Sequence, residues 1–233
     1  MKKLLLCFLL CSFAMVVSAQ SSKSSLFLNL GPSIPTGDFS STNSADEKAG
    51  LATTGFYFDL GYEYQFAKNV GAFAMFNLRT NGIAKDALNY SLPTGSGGSM
   101  SITATSWNMS TILGGLSQSF PIVKDEKFSI GFREAVGVQF TSSPELNINY
   151  NIPGIGASNN KQESSDATSF SYLLGLNLKY QINKRFGLKL NADYQSSNPK
   201  FTVITYPADA PVENETAQKI SSLNLGLGLT IRL

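Results

Sequence analysis

Histidine is absent from this 233-residue sequence, and its two cysteines, Cys7 and Cys11, both lie close to the amino terminus. Many hydrolases and acyltransferases use a histidine to activate a serine or a water molecule. The absence of histidine therefore excludes a Ser-His lipase, deacylase or acyltransferase. After the amino-terminal segment, no run of about eighteen apolar residues occurs. Any membrane-spanning part of the mature chain must therefore consist of strands.

The first twenty residues have the three parts of a secretory signal peptide. A basic start, Lys2-Lys3, precedes an apolar run over Leu4–Val17, and small residues lead up to Ala19. A transmembrane anchor helix would need roughly eighteen apolar residues, whereas this run ends sooner in a serine-rich segment. We therefore predict a cleaved signal peptide at residues 1–19.

Cleavage after Ala19 changes the composition of the mature domain, residues 20–233. It removes both cysteines, which leaves no disulfide, no thiolate nucleophile and no thiolate metal ligand. It also removes two of the 18 basic side chains, so that 16 basic residues balance 16 acidic ones. The mature domain then has no net positive charge that would favour binding to a nucleic acid. We predict one domain with a substantial core and with no metal or cofactor.

Alternation of apolar with polar or glycine residues predicts eight β-strands in this domain. The clearest segment sets Phe56, Phe58 and Leu60 against Tyr57 and Asp59. Strands of ten to fifteen residues are separated by very short turns or by long loops rich in serine, asparagine, glycine and proline. The eight segments begin near Leu26, Phe56, Val70, Ala104, Phe128, Phe170, Phe186 and Leu223.

The fourth and fifth segments depart from the pattern. In the fourth, Trp107 and Leu113 share a face, and the alternation slips at Gly114-Gly115, where we expect a β-bulge. In the fifth, Glu134 interrupts an apolar face. A carboxylate facing lipid at mid-strand costs free energy. We expect a local bulge to turn Glu134 inward, and contact with a partner protein is the alternative.

Short and long connections alternate along the chain, which is typical of outer-membrane barrels with short periplasmic turns and long extracellular loops. The even number of strands places both termini in the periplasm. Acidic side chains outnumber basic ones in the long loops, and the reverse holds in the short turns. The short connections are Ala67–Asn69, Pro121–Lys127 and Asn183–Arg185, and the long ones are Ser33–Ala49, Thr80–Ser101, Ser142–Ser165 and Ser197–Gln218.

The composition of the two strand faces decides which one points outward. A soluble lipocalin-like barrel turns its apolar face toward an internal ligand cavity. Here the apolar face has more large side chains than a narrow lumen can hold, so it must face outward. The polar face is rich in small residues and carries Asp59, Glu63, Arg79, Arg133, Lys179, Lys189, Asp193 and Arg232. An aromatic girdle near the strand ends is predicted from Tyr62, Tyr64, Tyr172, Tyr180, Tyr194 and Trp107.

The sequence resembles the outer-membrane β-barrel domain family common in Bacteroidota, which is similar in architecture to OmpA- and OmpX-type barrels. The resemblance lies in the signal followed by Gln20, the segment Gly31–Phe39 and the alternating leucine and glycine of the last strand. It implies an eight-stranded antiparallel up-and-down transmembrane barrel in the outer membrane, surrounded by outer-membrane lipid and inserted by the outer-membrane assembly machinery. Leu233 is a departure, because such barrels often end in an aromatic residue.

The charged interior suggests a network of ion pairs rather than a catalytic site. Asp59 and Glu63 lie four residues apart on one inward face, but carboxylates among arginines and lysines usually form salt bridges. We predict that Glu63 pairs with Lys179 on the diametrically opposed strand, with Asp59 and Arg133 as a second layer. A barrel filled in this way would not conduct.

We therefore predict a non-enzymatic outer-membrane barrel with a structural role, or with a surface-binding role through its long loops. Apolar and aromatic loop residues could contact a protein, a glycan or another ligand, although strand extension above the membrane also accounts for them. A narrow pore for small solutes is one alternative, and a soluble lipocalin-like barrel that binds an apolar ligand is another. The candidate loop residues are Tyr150, Ile152, Phe201 and Tyr206.

Overall fold

Eight antiparallel strands close into a barrel in the computed structural model. The structure describes residues 23–43, 46, 48–88, 99–123, 127–153, 156–206 and 212–233, so the predicted signal peptide lies outside it. The predicted all-β class and the eight-stranded barrel are confirmed. The barrel strands are β1 (Ser24–Pro35), β2 (Gly55–Ala67), β3 (Val70–Asn81), β5 (Trp107–Pro121), β6 (Phe128–Ser142), β9 (Asp166–Gln181), β10 (Phe186–Ser197) and β13 (Ile220–Arg232).

The strands are paired in up-and-down order, and β1 closes the barrel by pairing with both β2 and β13. Cross-strand partners followed once around the barrel lead from Ser24 to Ile34, a displacement of ten residues along β1. A stagger of this kind requires the strands to tilt against the barrel axis. The path runs through Tyr64, Ala72, Leu116, Glu134, Leu174, Tyr194 and Leu223.

Side chains alternate strictly between the two faces of the barrel wall. On β3, for example, Phe73, Met75 and Asn77 are buried inside, whereas Phe76 and Leu78 are exposed outside. Leucine, phenylalanine, isoleucine and valine dominate the exposed outer face of every strand. The predicted outward orientation of the apolar face is therefore correct, and such a surface suits contact with lipid.

The interior is more apolar than the sequence pattern indicates. Phe27, Phe73, Leu113 and Leu173 are buried in one cluster inside the barrel, together with Met75 and Ala135. The rings of Phe27 and Phe73 meet edge to face with centroids 6.2 Å apart. Except for Leu113, which shares the apolar face of β5 with Trp107, these side chains occupy the polar face of their strands. The lumen is therefore packed by both apolar and polar groups, and the predicted outward direction of the Trp107 face of β5 is wrong.

The predicted bulge at Gly114-Gly115 is wrong, because pairing with β3 and β6 continues through both residues without a shift. A Cβ atom at Gly115 would lie 1.9 Å from the Glu134 carbonyl oxygen. Glycine is therefore needed there for close approach of the strands rather than for a bulge. The register shift lies instead in β2, between Gln65 and Ala67.

The prediction that a bulge turns Glu134 inward is also wrong. Glu134 pairs in unbroken register with Leu116 on β5 and Leu174 on β9. Its neighbours in the chain, Arg133 and Ala135, are buried inside, so strict alternation leaves Glu134 exposed on the outer face. The backbone pairing therefore fixes this carboxylate among apolar side chains.

The long connections build a second, five-stranded sheet at the loop end of the barrel, which we call the loop sheet. Its two hairpins continue the barrel strands beyond the closed wall, as the strand-extension alternative predicted. Among the described residues, the two hairpins pair at Thr205 with Gln162 and at Tyr206 with Lys161, and the Glu163 amide donates to the Ile204 carbonyl oxygen at 3.1 Å. The strands of the loop sheet are β4 (Ser99–Ala104), β7 (Leu146–Ile152), β8 (Gly156–Gln162), β11 (Lys200–Tyr206) and β12 (Val212–Ala217).

Two short 3-10 segments, Gly37–Ser40 and Lys85–Leu88, lie in the first and second long loops. In the described ranges, no helix has the length and apolar character that a membrane-spanning helix requires.

Candidate functional site

The centre of the lumen holds an ion network that links three strands. Arg133 of β6 contacts Asp193 of β10 through two hydrogen bonds, of which the one from Nε to Oδ1 measures 2.6 Å. The same guanidinium donates from Nη2 to Oδ2 of Asp59 on β2 at 3.3 Å. Asn77 Nδ2 donates to the other Asp59 oxygen at 2.6 Å. All these side chains are at most 3 % exposed, so the network crosses and fills the lumen.

A second polar layer lies between this network and the loop end. Arg79 Nη1 donates to Ser222 Oγ at 2.5 Å, and its Nη2 donates to Gln139 Oε1 at 3.1 Å. Gln139 Nε2 in turn donates to Ser197 Oγ at 2.8 Å. Gln195 Nε2 donates to Thr111 Oγ1 at 3.1 Å on the same level. Amide and hydroxyl groups therefore surround this guanidinium, and they close the lumen a second time.

An apolar cap seals the mouth of the barrel at the loop end. Trp107, at the start of β5, packs edge to face against Phe39 of the first loop and Phe201 of the fourth, with centroid distances of 5.6 and 5.8 Å. Its indole Nε1 donates to the Gly50 carbonyl oxygen at 3.0 Å. Ile220 joins the same buried cluster. Two loops are thus folded onto the barrel mouth and shield the polar layers beneath.

Two of the predicted surface roles fail because of this cap. Trp107 is buried at the barrel mouth and does not belong to an outer aromatic girdle. The face of β5 that carries Trp107 points into the barrel along the whole strand. The apolar outer face of β5 is formed by Ile112, Leu116 and Phe120. Phe201 was predicted as a loop-binding residue, yet it is only 2 % exposed. Its side chain cannot contact a ligand while the cap is closed.

The predicted pair between Glu63 and Lys179 is not formed, and the described residues contain no ion pair between them. Glu63 accepts a hydrogen bond of 2.7 Å from Ser117 Oγ instead. This donor lies on β5, two strands away from β2 in the barrel wall, whereas Lys179 lies on β9 at the opposite side of the barrel. Lys189 lies over the Phe27 ring, with Nζ 4.9 Å from the ring centroid. Lys179 and Arg232 are half-buried at the turn end.

The acid pair Asp59 and Glu63 has the geometry of a structural network. Asp59 is 1 % exposed and both of its oxygens accept hydrogen bonds, from Asn77 on one side and from Asn29 and Arg133 on the other. Both carboxylate oxygens are therefore engaged by neighbouring side chains. The arrangement supports packing and electrostatic cross-linking of the barrel wall rather than acid-base catalysis.

The loop sheet presents the remaining candidate residues at the loop end. Tyr150 is half-buried on β7, and its hydroxyl accepts a hydrogen bond of 3.1 Å from Asn160 Nδ2 across the hairpin. Tyr206 is half-buried on β11 and pairs with Lys161 at the junction of the two hairpins. Ile152 ends β7, and its side chain lies outside the described part of the chain.

Four features now define the architecture. They are the eight up-and-down strands, the displacement of ten residues along β1 after one turn of the barrel, the apolar outer face and the short turns at one end. The fold is that of a small outer-membrane β-barrel. The predicted architecture is thereby confirmed. The outer aromatic residues support it, since Phe128 and Tyr180 pack with ring centroids 4.7 Å apart near the turn end.

Comparison with solved structures finds barrels of this kind at low sequence identity. A major outer membrane protein from Thermus thermophilus is 12 % identical, with 90 % of this chain and 99 % of that chain covered and a TM-score of 0.49. Neisserial surface protein A is 11 % identical, with 91 % and 98 % covered and a TM-score of 0.47. The attachment invasion locus protein of Yersinia pestis is 13 % identical, with 89 % and 97 % covered and a TM-score of 0.42. No family model matches the sequence, and no curated protein matches it significantly.

Proposed function

We propose that this chain is a non-enzymatic outer-membrane protein that binds a surface ligand or partner through the loop sheet, on a barrel whose lumen is closed. The observation that carries the proposal is the loop sheet itself. Five strands drawn from three long loops form one paired surface on a rigid barrel. Recognition residues commonly lie on loops that a rigid scaffold positions. Export with cleavage after Ala19 and insertion by the outer-membrane assembly machinery are part of the same proposal.

The packed lumen argues against the pore alternative. The Arg133 network, the Arg79 layer and the Trp107 cap are stacked along the barrel axis, and each consists of side chains at most 7 % exposed. A solute would have to break several buried hydrogen bonds to pass. Five of the eight charged residues predicted to face the lumen are basic, which further opposes the passage of cations.

The soluble alternative conflicts with both faces of the barrel wall. A lipocalin-like protein needs an apolar cavity inside and a polar surface outside. Here charged, amide and hydroxyl groups fill the lumen together with one apolar cluster, and the outer face of every barrel strand exposes leucine, isoleucine, valine or phenylalanine. Contact with outer-membrane lipid is the environment that satisfies this surface.

Removal of one hairpin of the loop sheet tests the proposal. Replacing Leu146–Gln162 by an Asn-Gly turn deletes β7 and β8 and leaves the described barrel strands intact. The purified full barrel and the shortened barrel would be compared on arrays of immobilised glycans and of extracellular-matrix and serum proteins. We expect a probe that binds the full barrel and loses most of its binding to the shortened one. Equal binding of both proteins, or no binding by the full barrel, would contradict a recognition role for the loop sheet.

A further inference from the structure

Glu134 is the only charged side chain on the outer faces of the barrel strands between their aromatic ends, as far as the described residues show. It lies six residues from Phe128 and six from Phe140, the exposed aromatic residues near the two ends of β6. The carboxylate is therefore close to the middle of the apolar band. An ionisable group at that depth costs free energy in lipid and usually has a specific partner.

The barrel itself supplies no partner for this carboxylate. The inward position is occupied by Arg133, whose guanidinium is already bound to Asp59 and Asp193. The cross-strand neighbours of Glu134 are Leu116 and Leu174, which offer no hydrogen-bond donor. Within the described residues, Glu134 has no ion pair or side-chain hydrogen bond. The unbroken register prevents the backbone from turning it inward.

The surface around Glu134 is shaped to receive another molecule. A groove of about 470 Å³ runs past the carboxylate, and its walls include Gln118, Leu176, Ala192 and Tyr194. On the adjacent strand, a Cβ atom placed on Gly114 would meet no atom closer than 4.0 Å. Small residues such as Ala192 and Gly114 allow the backbone of a membrane-embedded partner to approach closely. The groove thus combines small and apolar side chains with one carboxylate that has no ion-pair partner among the described residues.

The charge of the groove determines the class of partner. An acyl chain has no donor for a carboxylate. A second copy of this chain has no cation to offer, because its lysines and arginines lie inside the barrel, in turns or in loops, never on the described outer faces within the apolar band. The complementary group is a lysine or arginine side chain at the same depth in the membrane. Such charge-assisted hydrogen bonds are stronger than neutral ones.

We propose that the Glu134 groove binds a different membrane-spanning protein, which presents a lysine or arginine to this carboxylate at mid-membrane depth. The proposal rests on the membrane location given under the proposed function, and it is independent of ligand binding by the loop sheet. The barrel would then be one subunit of an outer-membrane complex. Its outer face would carry the contact with the partner, while the loop sheet stays free at the surface.

The first experiment maps the contact in intact cells. A photo-crosslinking amino acid replaces Leu174, the cross-strand neighbour of Glu134, and in a control protein it replaces Leu30 on β1, the strand diametrically opposed to β6. We expect a protein adduct from position 174 and none from position 30. In the Glu134→Leu background the adduct should fall at least about tenfold, the loss that corresponds to one charge-assisted hydrogen bond. An adduct of twice the mass of this chain, an absence of adduct, or an adduct unaffected by Glu134→Leu would overturn the proposal.

A charge exchange then tests the chemistry. Glu134→Lys should abolish the adduct, and replacing the partner's contacting lysine or arginine by glutamate should restore it. Failure of every such exchange would refute the ion pair. Each variant is first checked for an unheated-to-heated mobility shift in the outer-membrane fraction. A variant with this shift but without the adduct has lost the partner, whereas loss of the shift in the parent protein would instead contradict the membrane location.

Discussion

The ion pair between Arg133 and Asp193 passes directly over a glycine on the strand between them. Arg133 belongs to β6 and Asp193 to β10, and Gly175 lies on β9, which separates these strands. A Cβ atom on Gly175 would lie 1.9 Å from Asp193 Oδ1 and 2.9 Å from Arg133 Cγ. The pair can therefore form only because this position has no side chain. The glycines of the inner face thus make room for the charged network that fills the lumen.

Replacing Gly175 by alanine should destabilise the folded barrel, because the new methyl group displaces the Asp193 carboxylate. We expect a loss of about 1–3 kcal/mol, the usual cost of overpacking a filled interior. Urea unfolding of the barrel in lipid vesicles measures it. Gly114→Ala is the matched control, since its Cβ meets nothing closer than 4.0 Å on the outer face. An equal effect of the two substitutions would argue against the role of Gly175.

The Arg133–Asp193 pair should show strong coupling in a double-mutant cycle. Removing one member leaves the other buried without its main partner, and we expect Arg133→Gln or Asp193→Asn alone to cost about 3–5 kcal/mol. The double variant should lose clearly less than the sum, with a coupling energy of about 0.5–3 kcal/mol. The same urea titration provides all four values. Additive losses would show that the two residues do not act together.

Trp107 is the single tryptophan of the chain and reports on the cap. Phe201→Ala removes the ring that packs 5.8 Å from it. We expect a red shift of the Trp107 emission and faster quenching by acrylamide, with the barrel still folded. Phe170→Ala on the outer face, where the ring is 65 % exposed, is the matched control and should leave the emission unchanged. An unaltered spectrum in Phe201→Ala would mean that the loops do not close the mouth.

Reconstituted barrels should not conduct ions in planar lipid bilayers. The Arg133 network closes the lumen independently of the cap, so the Trp107→Ala variant should also be silent. Channel recordings at several hundred millimolar salt check both proteins. Steady unitary conductance of the parent barrel would reverse the assignment in favour of a narrow pore.

Local alternation is sufficient to predict the eight barrel strands and the direction of every apolar face except that of β5, where the face with Trp107, Met109 and Leu113 points inward. In β2, β10 and β13 the period of two is almost uninterrupted, and lipid requires it on every strand. The charged inner residues followed from the same period. Asp59 and Arg133 could even be placed in one layer, because both lie near the middle of their strands.

Contacts between distant segments were beyond this kind of prediction. An aromatic side chain at a strand end, such as that of Trp107, fits an outer girdle as well as it fits a buried cap. The folding of the first and fourth loops onto the barrel mouth buries Trp107. Phe201 is buried for the same reason. The cost of a carboxylate in lipid predicts an inward position for Glu134, whereas the paired register of three strands fixes it outward. Backbone pairing outweighed the preference of a single side chain.

The central claim is that this chain forms a closed barrel in the outer membrane. Electrophoresis of outer-membrane fractions in detergent, with and without boiling, tests it most directly. A closed barrel resists unfolding by detergent alone, so we predict that the unheated protein migrates differently from the boiled one and is found in the outer-membrane fraction. A protein recovered in soluble form from the periplasm, with the same mobility before and after boiling, would contradict the account.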